Sequence, residues 1–125
     1  MKKAALILIS SVAIAGCAQL PTTEDAASAD YGSFPTDYKG IVRAHVSDIF
    51  YDPSSVQYRN ISSPKKYWLG NKISGAKYGY LVCATVNGKN LHGAYTGFST
   101  HGYLIRNGSV VEFVEDGWWW GTDIC

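Results

Sequence analysis

The chain has 125 residues, of which 46% are hydrophobic, 14% aromatic and 17% charged, with a formal net charge of +1. That length holds one domain and leaves no room for the nucleotide-binding half of a multi-domain enzyme. Gly at 13 and Cys at 3 exclude a collagen-like chain and a cysteine-dense scaffold, and the aromatic content excludes wholesale disorder.

Lys2 and Lys3 make a positive start, and Ala4–Ala15 follows without a charge. As a helix this run is about 18 Å long, short of a hydrocarbon core of about 30 Å, so residues 1–16 read as an export signal rather than a membrane span. The segment ends Ile14-Ala15-Gly16-Cys17, which resembles the lipobox of bacterial lipoproteins. The resemblance implies a diacylglycerol on the Cys17 sulfur, cleavage before Cys17, and an acyl chain such as palmitate on the new amino group. Two or three acyl chains anchor a protein stably where one does not. The plainer alternative is an ordinary signal peptide cut nearby, with Cys17 free or paired. Residue 18 is Ala and not Asp, which by the same resemblance favours the outer membrane in an organism that has one.

Residues 17–36 carry Glu24, Asp25 and Asp30 without a base, among Ala, Ser, Thr and Pro. They predict a flexible acidic tether with a coil dimension of about 25 Å, which would lift the domain (37–125) off the headgroups. From Pro53 to Val111 there is no acidic residue, while Arg59, Lys65, Lys66, Lys72, Lys77, Lys89 and Arg106 all fall there. The tail reverses sign with Glu112, Glu115, Asp116 and Asp123. Either the tail folds back over a solvated basic surface, or the basic strands face an anionic partner such as phospholipid, lipopolysaccharide or an acidic protein. Nucleic acid does not suit an exported, anchored chain of near-zero charge.

Tyr38, Ile41, Val42, His45 and Ile49 recur at helical spacing, widened by Val46 and Phe50. Thr36 or Asp37 can cap the start and Asp52-Pro53 stops the run, so an amphipathic helix is predicted over 37–50. His45 lies on the apolar stripe, a place for a partly buried structural histidine rather than a ligand. Alternation predicts a short strand over 56–61, broken at Ser62-Ser63-Pro64, and brief pairing at Tyr67-Trp68-Leu69. Tyr78–Val86 is apolar on both faces and predicts a central strand. Strands are also predicted over 95–98 and 102–106. Asn107-Gly108 predicts a type I′ hairpin with Arg106 opposite Ser109, Ile105 opposite Val110, Leu104 opposite Val111, and a return strand over 109–114. The fold class is α+β, with one N-terminal amphipathic helix packed on a small antiparallel meander sheet.

With Cys17 acylated, Cys83 and Cys125 remain, and two thiols in an exported chain predict a disulfide. The chain-entropy account makes such a bond worth roughly 4 kcal/mol. Cys83, His92 and His101 are what a zinc site or a Cys–His nucleophile would draw on, but they lack a close ligand pair, and Cys83 sits among Leu81, Val82 and Ala84 as a structural thiol does. No metal, cofactor or catalytic residue is predicted. Asn87, Lys89, Asn90 and His92 gather polar groups on one loop beside Tyr95. Polar loops on rigid sheets often bind, and asparagines equally cap turns. Gly117-Trp118-Trp119-Trp120-Gly121 holds three of the four tryptophans. Neighbouring strand residues face opposite sides, so they cannot all enter one core. One or two pack over the sheet, or Trp118 and Trp120 share a face in an extended segment and offer an aromatic patch to a partner, glycan or membrane interface.

Asp52-Pro53-Ser54-Ser55, Tyr58-Arg59-Asn60, Val82-Cys83, Val86-Asn87-Gly88-Lys89-Asn90 and Gly93-Ala94-Tyr95-Thr96-Gly97-Phe98 resemble the motifs of a family of small uncharacterised bacterial proteins and lipoproteins. Ala94 departs from that pattern, which has a second Gly. The resemblance covers residues 38–114 and implies a helix-plus-sheet layout and no activity. Ser74-Gly75-Ala76-Lys77-Tyr78 resembles a segment of lipoprotein inhibitors of c-type lysozyme, where the Ser and the basic residue contact the enzyme. Here that implies Ser74 and Lys77, although that family's first Cys precedes the motif and Cys83 follows it. The sequence thus points to a non-enzymatic, lipid-anchored cell-envelope protein that binds a partner or maintains the envelope. Its expected partners are membrane lipid through Cys17 and an envelope protein, glycan or anionic lipid through the domain. The alternative is a lysozyme-inhibitor-like periplasmic lipoprotein.

Overall fold

The apolar alternation around Val82 becomes the long central strand of an antiparallel sheet. The computed structural model describes Gly16 and residues 18–125; the expected export signal, apart from Gly16, and the expected acylation site Cys17 lie outside the described residues. In chain order the elements are α1 (Thr23–Ser28), α2 (Tyr38–Ile49), β1 (Gln57–Ile61), β2 (Lys65–Asn71), β3 (Gly75–Asn87), β4 (Ser99–Arg106), β5 (Ser109–Val114), β6 (Trp118–Trp119) and β7 (Thr122–Asp123). The class is α+β. The main sheet has five strands, larger than the small meander expected, and β6 pairs with β7 in a separate two-stranded ribbon.

The extra strand arises because β1 and β2 lie end to end along one edge of β3. Gln57 stands opposite Asn87 and Ile61 opposite Ala84, after which Lys65 stands opposite Leu81 and Asn71 opposite Gly75. Ser62 bridges the break: its N–H donates to the Cys83 carbonyl and its Oγ accepts the Cys83 N–H, both at 2.8 Å. On the other side of β3, Val82 faces Tyr103 and Cys83 faces Gly102 of β4. Asn107 and Gly108 have φ of 49° and 83°, the pattern of a type I′ turn, and they set Arg106 opposite Ser109 and Ile105 opposite Val110 as expected. The next pair departs from expectation. A bulge places Glu112, not Val111, opposite Leu104 and Phe113 opposite Tyr103. In an unbulged pairing Val111 would face Leu104 and Glu112 would face Tyr103 on the side covered by α2; the bulge gives that place to an aromatic ring.

The sheet has a core on each face. Val42 and Val46 of α2 pack on Val82, Ala84, Tyr103 and Ile105. The helix ends as expected, with the Phe50 N–H donating to the Val46 carbonyl, but the Asp37 side chain makes no capping hydrogen bond. On the opposite face Leu81 and Leu104 pack with Leu69, Val114 and Ile124. A disulfide joins Cys83 to Cys125 and holds the C-terminal segment there. Gly102 makes this possible, since a Cβ there would stand 3.1 Å from Ile124 Cδ1 and 3.4 Å from the Cys125 sulfur.

Two expected features are corrected. The segment expected to be a flexible tether has defined structure. Thr22 and Asp25 form a reciprocal capping box at α1. Tyr31 is 8% exposed, with its ring edge-on to Tyr78. Phe34 meets Tyr80 likewise, and Arg106 donates to the Asp30 carbonyl and lies 3.4 Å from its carboxylate. Residues 95–98 are not a strand. Asn90 turns the chain by accepting the His92 and Ala94 N–H groups, and Gly93 and Gly97 have φ of 73° and 110°, so β4 begins only at Ser99.

Candidate functional site

A cleft of about 580 Å³ runs across the outer strand β2. Its lining includes Leu20 and Tyr31 of the N-terminal segment, Tyr67 and Leu69 of β2, and Trp119 and Trp120 near the C-terminus. Each part has a local cause. Trp119 is half-buried and its indole N–H donates to the Gly70 carbonyl at 3.1 Å, which ties the β6–β7 ribbon to β2. Trp118 stands opposite Asp123 and Trp119 opposite Thr122, which leaves Trp120 and Gly121 as the turn. Their φ values are 44° and 88°, so a bulky side chain sits in the left-handed region at the apex. Trp120 is 71% exposed.

The shared face expected for Trp118 and Trp120 depended on an extended chain. The turn at Trp120–Gly121 reverses the chain, and the cleft takes Trp119 and Trp120 instead. Tyr31, Tyr67 and Trp119 were absent from the residues proposed from sequence. Tyr31 was hidden in a stretch whose composition reads as tether, and the only signal for Trp119 was its place between two other tryptophans.

Lysines border the cleft. The Lys66 ammonium lies 5.6 Å from the Tyr31 ring centre and Lys65 5.3 Å from that of Tyr67, contacts worth about 0.5–1 kcal/mol each at exposed sites. Of the other bases between Pro53 and Val111, Lys77 pairs with Glu112 at 2.7 Å and Arg106 with Asp30. Arg59 lies 3.9 Å from the Phe98 ring centre. The acidic residues therefore meet the basic strands at Lys77 and Arg106, and the β2 lysines have aromatic neighbours instead.

The Asn87–Tyr95 loop is built as the alternative reading of its asparagines described. Asn87 is buried and its Oδ1 accepts the Gly97 N–H, while Asn90 holds the turn as above. Lys89 and Tyr95 are brought together, with the ammonium 5.5 Å from the ring centre. Both are tied to Ser55, which accepts the Lys89 N–H at Oγ and the Tyr95 hydroxyl at its carbonyl. His92 is exposed. A groove of about 380 Å³ lies between this loop and the end of α2, with His101 and Glu115 on its lining. His101 Nδ1 accepts the Asp116 N–H at 2.9 Å, which fixes the neutral ring, and burial pushes its pKa below the ordinary value. His45 also has a lowered pKa, mainly from burial, and packs against the Tyr103 and Phe113 rings.

Cys83, His92 and His101 do not form one site. Cys83 is spent in the disulfide, and among the described residues no three His, Cys, Asp or Glu side chains are grouped to hold a metal ion. Ser74 lies in the β2–β3 turn with its N–H donating to Asn71 Oδ1, while Lys77 is engaged by Glu112. No family model, no curated protein and no solved structure matches the chain.

Proposed function

We propose that the protein is a lipid-anchored cell-envelope protein whose domain binds a partner through the cleft over β2 and carries out no chemistry of its own. The observation that carries the binding reading is the aromatic wall of that cleft. Trp119 is fixed to the Gly70 carbonyl, and next to it Trp120 is held out at a turn apex unfavourable for tryptophan. Pockets that hold ligands combine apolar and aromatic walls with a few placed polar groups, and here Lys66 supplies a cation at the edge. The chemistry suits a partner with an apolar or ring-faced body and an anionic group, as in an envelope lipid, glycan or protein. The lipobox supports anchoring through Cys17. The Cys83–Cys125 disulfide supports an oxidising compartment outside the cytoplasm. Ala18 in place of Asp after Cys17 supports the outer membrane in an organism that has one.

Crosslinking in intact cells tests the binding. A crosslinked species lost in Trp120→Ala but kept in Lys89→Ala/His92→Ala is the expected result, with folding of each variant matched by circular dichroism. Loss in the second variant alone would move the site to the Asn87–Tyr95 loop. For the location, membrane fractionation should move Cys17→Ser to the soluble fraction.

A further inference from the structure

Ala18 and Leu20 lie on the domain, next to the cleft. Ala18 stands beside Gly75 at the β2–β3 turn, with its Cβ 3.7 Å from where a Gly75 Cβ would be. Ala18, Leu20 and Lys72 line one small pocket, and Leu20 continues into the cleft that Trp120 borders. The turn between is braced by Asn71, whose Oδ1 accepts the Ile73 and Ser74 N–H groups at 2.9 and 2.8 Å. This bracing presents Ile73 to solvent with 85% of its surface exposed. Single exposed aliphatic residues are ordinary. Here Ile73 follows Lys72, which shares a pocket with Leu20, and Leu20 shares the cleft with Lys66 and Trp120; the β2–β3 segment carries no carboxylate.

We propose that this face, formed by the β2–β3 turn, Leu20 and Trp120, lies directly on an anionic lipid surface. The proposal rests on the reading of Cys17 as the acylated residue. Cys17 is bonded to Ala18, and adjacent α-carbons are about 3.8 Å apart. An acyl chain on Cys17 therefore starts within one residue of the β2–β3 turn. The segment that would otherwise hold the domain away is itself docked through Tyr31, Phe34 and Asp30. The chemistry of the face matches the boundary it would meet. An aliphatic tip enters the acyl region, an indole takes the interfacial level, and ammonium groups meet anionic headgroups.

The test uses the full mature protein in vesicles of phosphatidylethanolamine and phosphatidylglycerol whose acyl chains carry bromine, a short-range quencher of indole emission. Quenching is expected in the parent protein. Most of it should be lost in Trp120→Phe, and it should fall in Ile73→Asp and Lys72→Glu, which alter exposed positions and should leave circular dichroism unchanged. Intact mass, measured in parallel, reports acylation. An acylated protein with equal emission in brominated and plain vesicles would overturn the docking and leave the anchoring intact. A mass without acyl chains would overturn both. An acylated, unquenched protein that sediments as a dimer in detergent would assign the face to a second copy of the chain, again against docking on lipid.

Discussion

Trp120 and Asn107 occupy the same position in two turns of this chain. Each has positive φ, 44° and 49°, and each precedes a glycine. Asparagine tolerates that conformation, whereas a larger side chain crowds its own carbonyl at a cost of roughly 1–2 kcal/mol. The strain falls on the residue whose indole borders the cleft, and strained backbone tends to gather where contact matters. Trp120→Asn is therefore expected to stabilise the domain by about 1 kcal/mol in urea unfolding while it removes cleft-dependent crosslinking. A destabilised variant would show that indole packing outweighs the strain. The histidines make a second residue-scale prediction. Burial lowers the pKa of both His45 and His101 from 6.5, against the pull of Asp48 on the first and of Asp116 and Glu115 on the second. A base with a depressed folded pKa holds its proton more tightly when unfolded. Its contribution is then complete above the unfolded value and is lost as pH falls through 6.5 towards the folded value. The urea midpoint should be flat above that pH and decline below it. His45→Leu/His101→Asn should flatten the decline, because Asn Oδ1 can still accept the Asp116 N–H. An unaltered slope in this variant would place the titration elsewhere.

Among the elements, β5 shows how one residue sets the face of a strand. Were β5 to pair without the bulge, Val111 would stand opposite Leu104 and Glu112 would turn towards Tyr103 and α2, where Phe113 now packs. Burying an unpaired carboxylate there, or shifting its pKa to avoid the charge, costs several kcal/mol, which the bulge avoids. Deleting Val111 removes the surplus residue and leaves Glu112 opposite Leu104 and Phe113 opposite Tyr103, so the deletion should keep a cooperative urea transition. Loss of that transition would show that the bend at the bulge is itself required. The hairpin itself was legible, since Asn107-Gly108 and the alternation of residues 78–86 are local signals. The bulge was not, because nothing around Val111 records which residues α2 will cover. The docked N-terminal segment was equally illegible: Asp30 meets Arg106 from 76 residues away, beyond anything local composition carries. The candidate site divides in the same way. The tryptophan cluster and the asparagine caps could be read directly, but the pairing of Trp119 with Trp120 followed from the turn at Gly121. The contribution of Tyr31 followed from the same long-range docking.

At the scale of the whole molecule, α2 covers one face of the sheet and the C-terminal segment covers the other through a bond across 42 residues. Reduction, or Cys83→Ala/Cys125→Ala, should lower stability by about 4 kcal/mol or somewhat less on the chain-entropy account, measured as urea midpoints with and without reductant. Trp119 emission should shift to the red if the ribbon leaves β2. An unchanged midpoint would show that Ile124 and Trp119 hold the segment by packing alone. The two covers also set an order in time. The β4–β5 and β2–β3 hairpins close across short turns, whereas the helix and the tail must return from distant parts of the chain. Pulsed hydrogen exchange during refolding is expected to protect β4–β5 amides before the Ile124 amide, which donates to the Gly117 carbonyl. Until both covers arrive, the apolar sides of β3 and β4 stay wet. The vulnerable interval of this protein is thus the delay before its finished strands are enclosed, when a chaperone would have the most to hide.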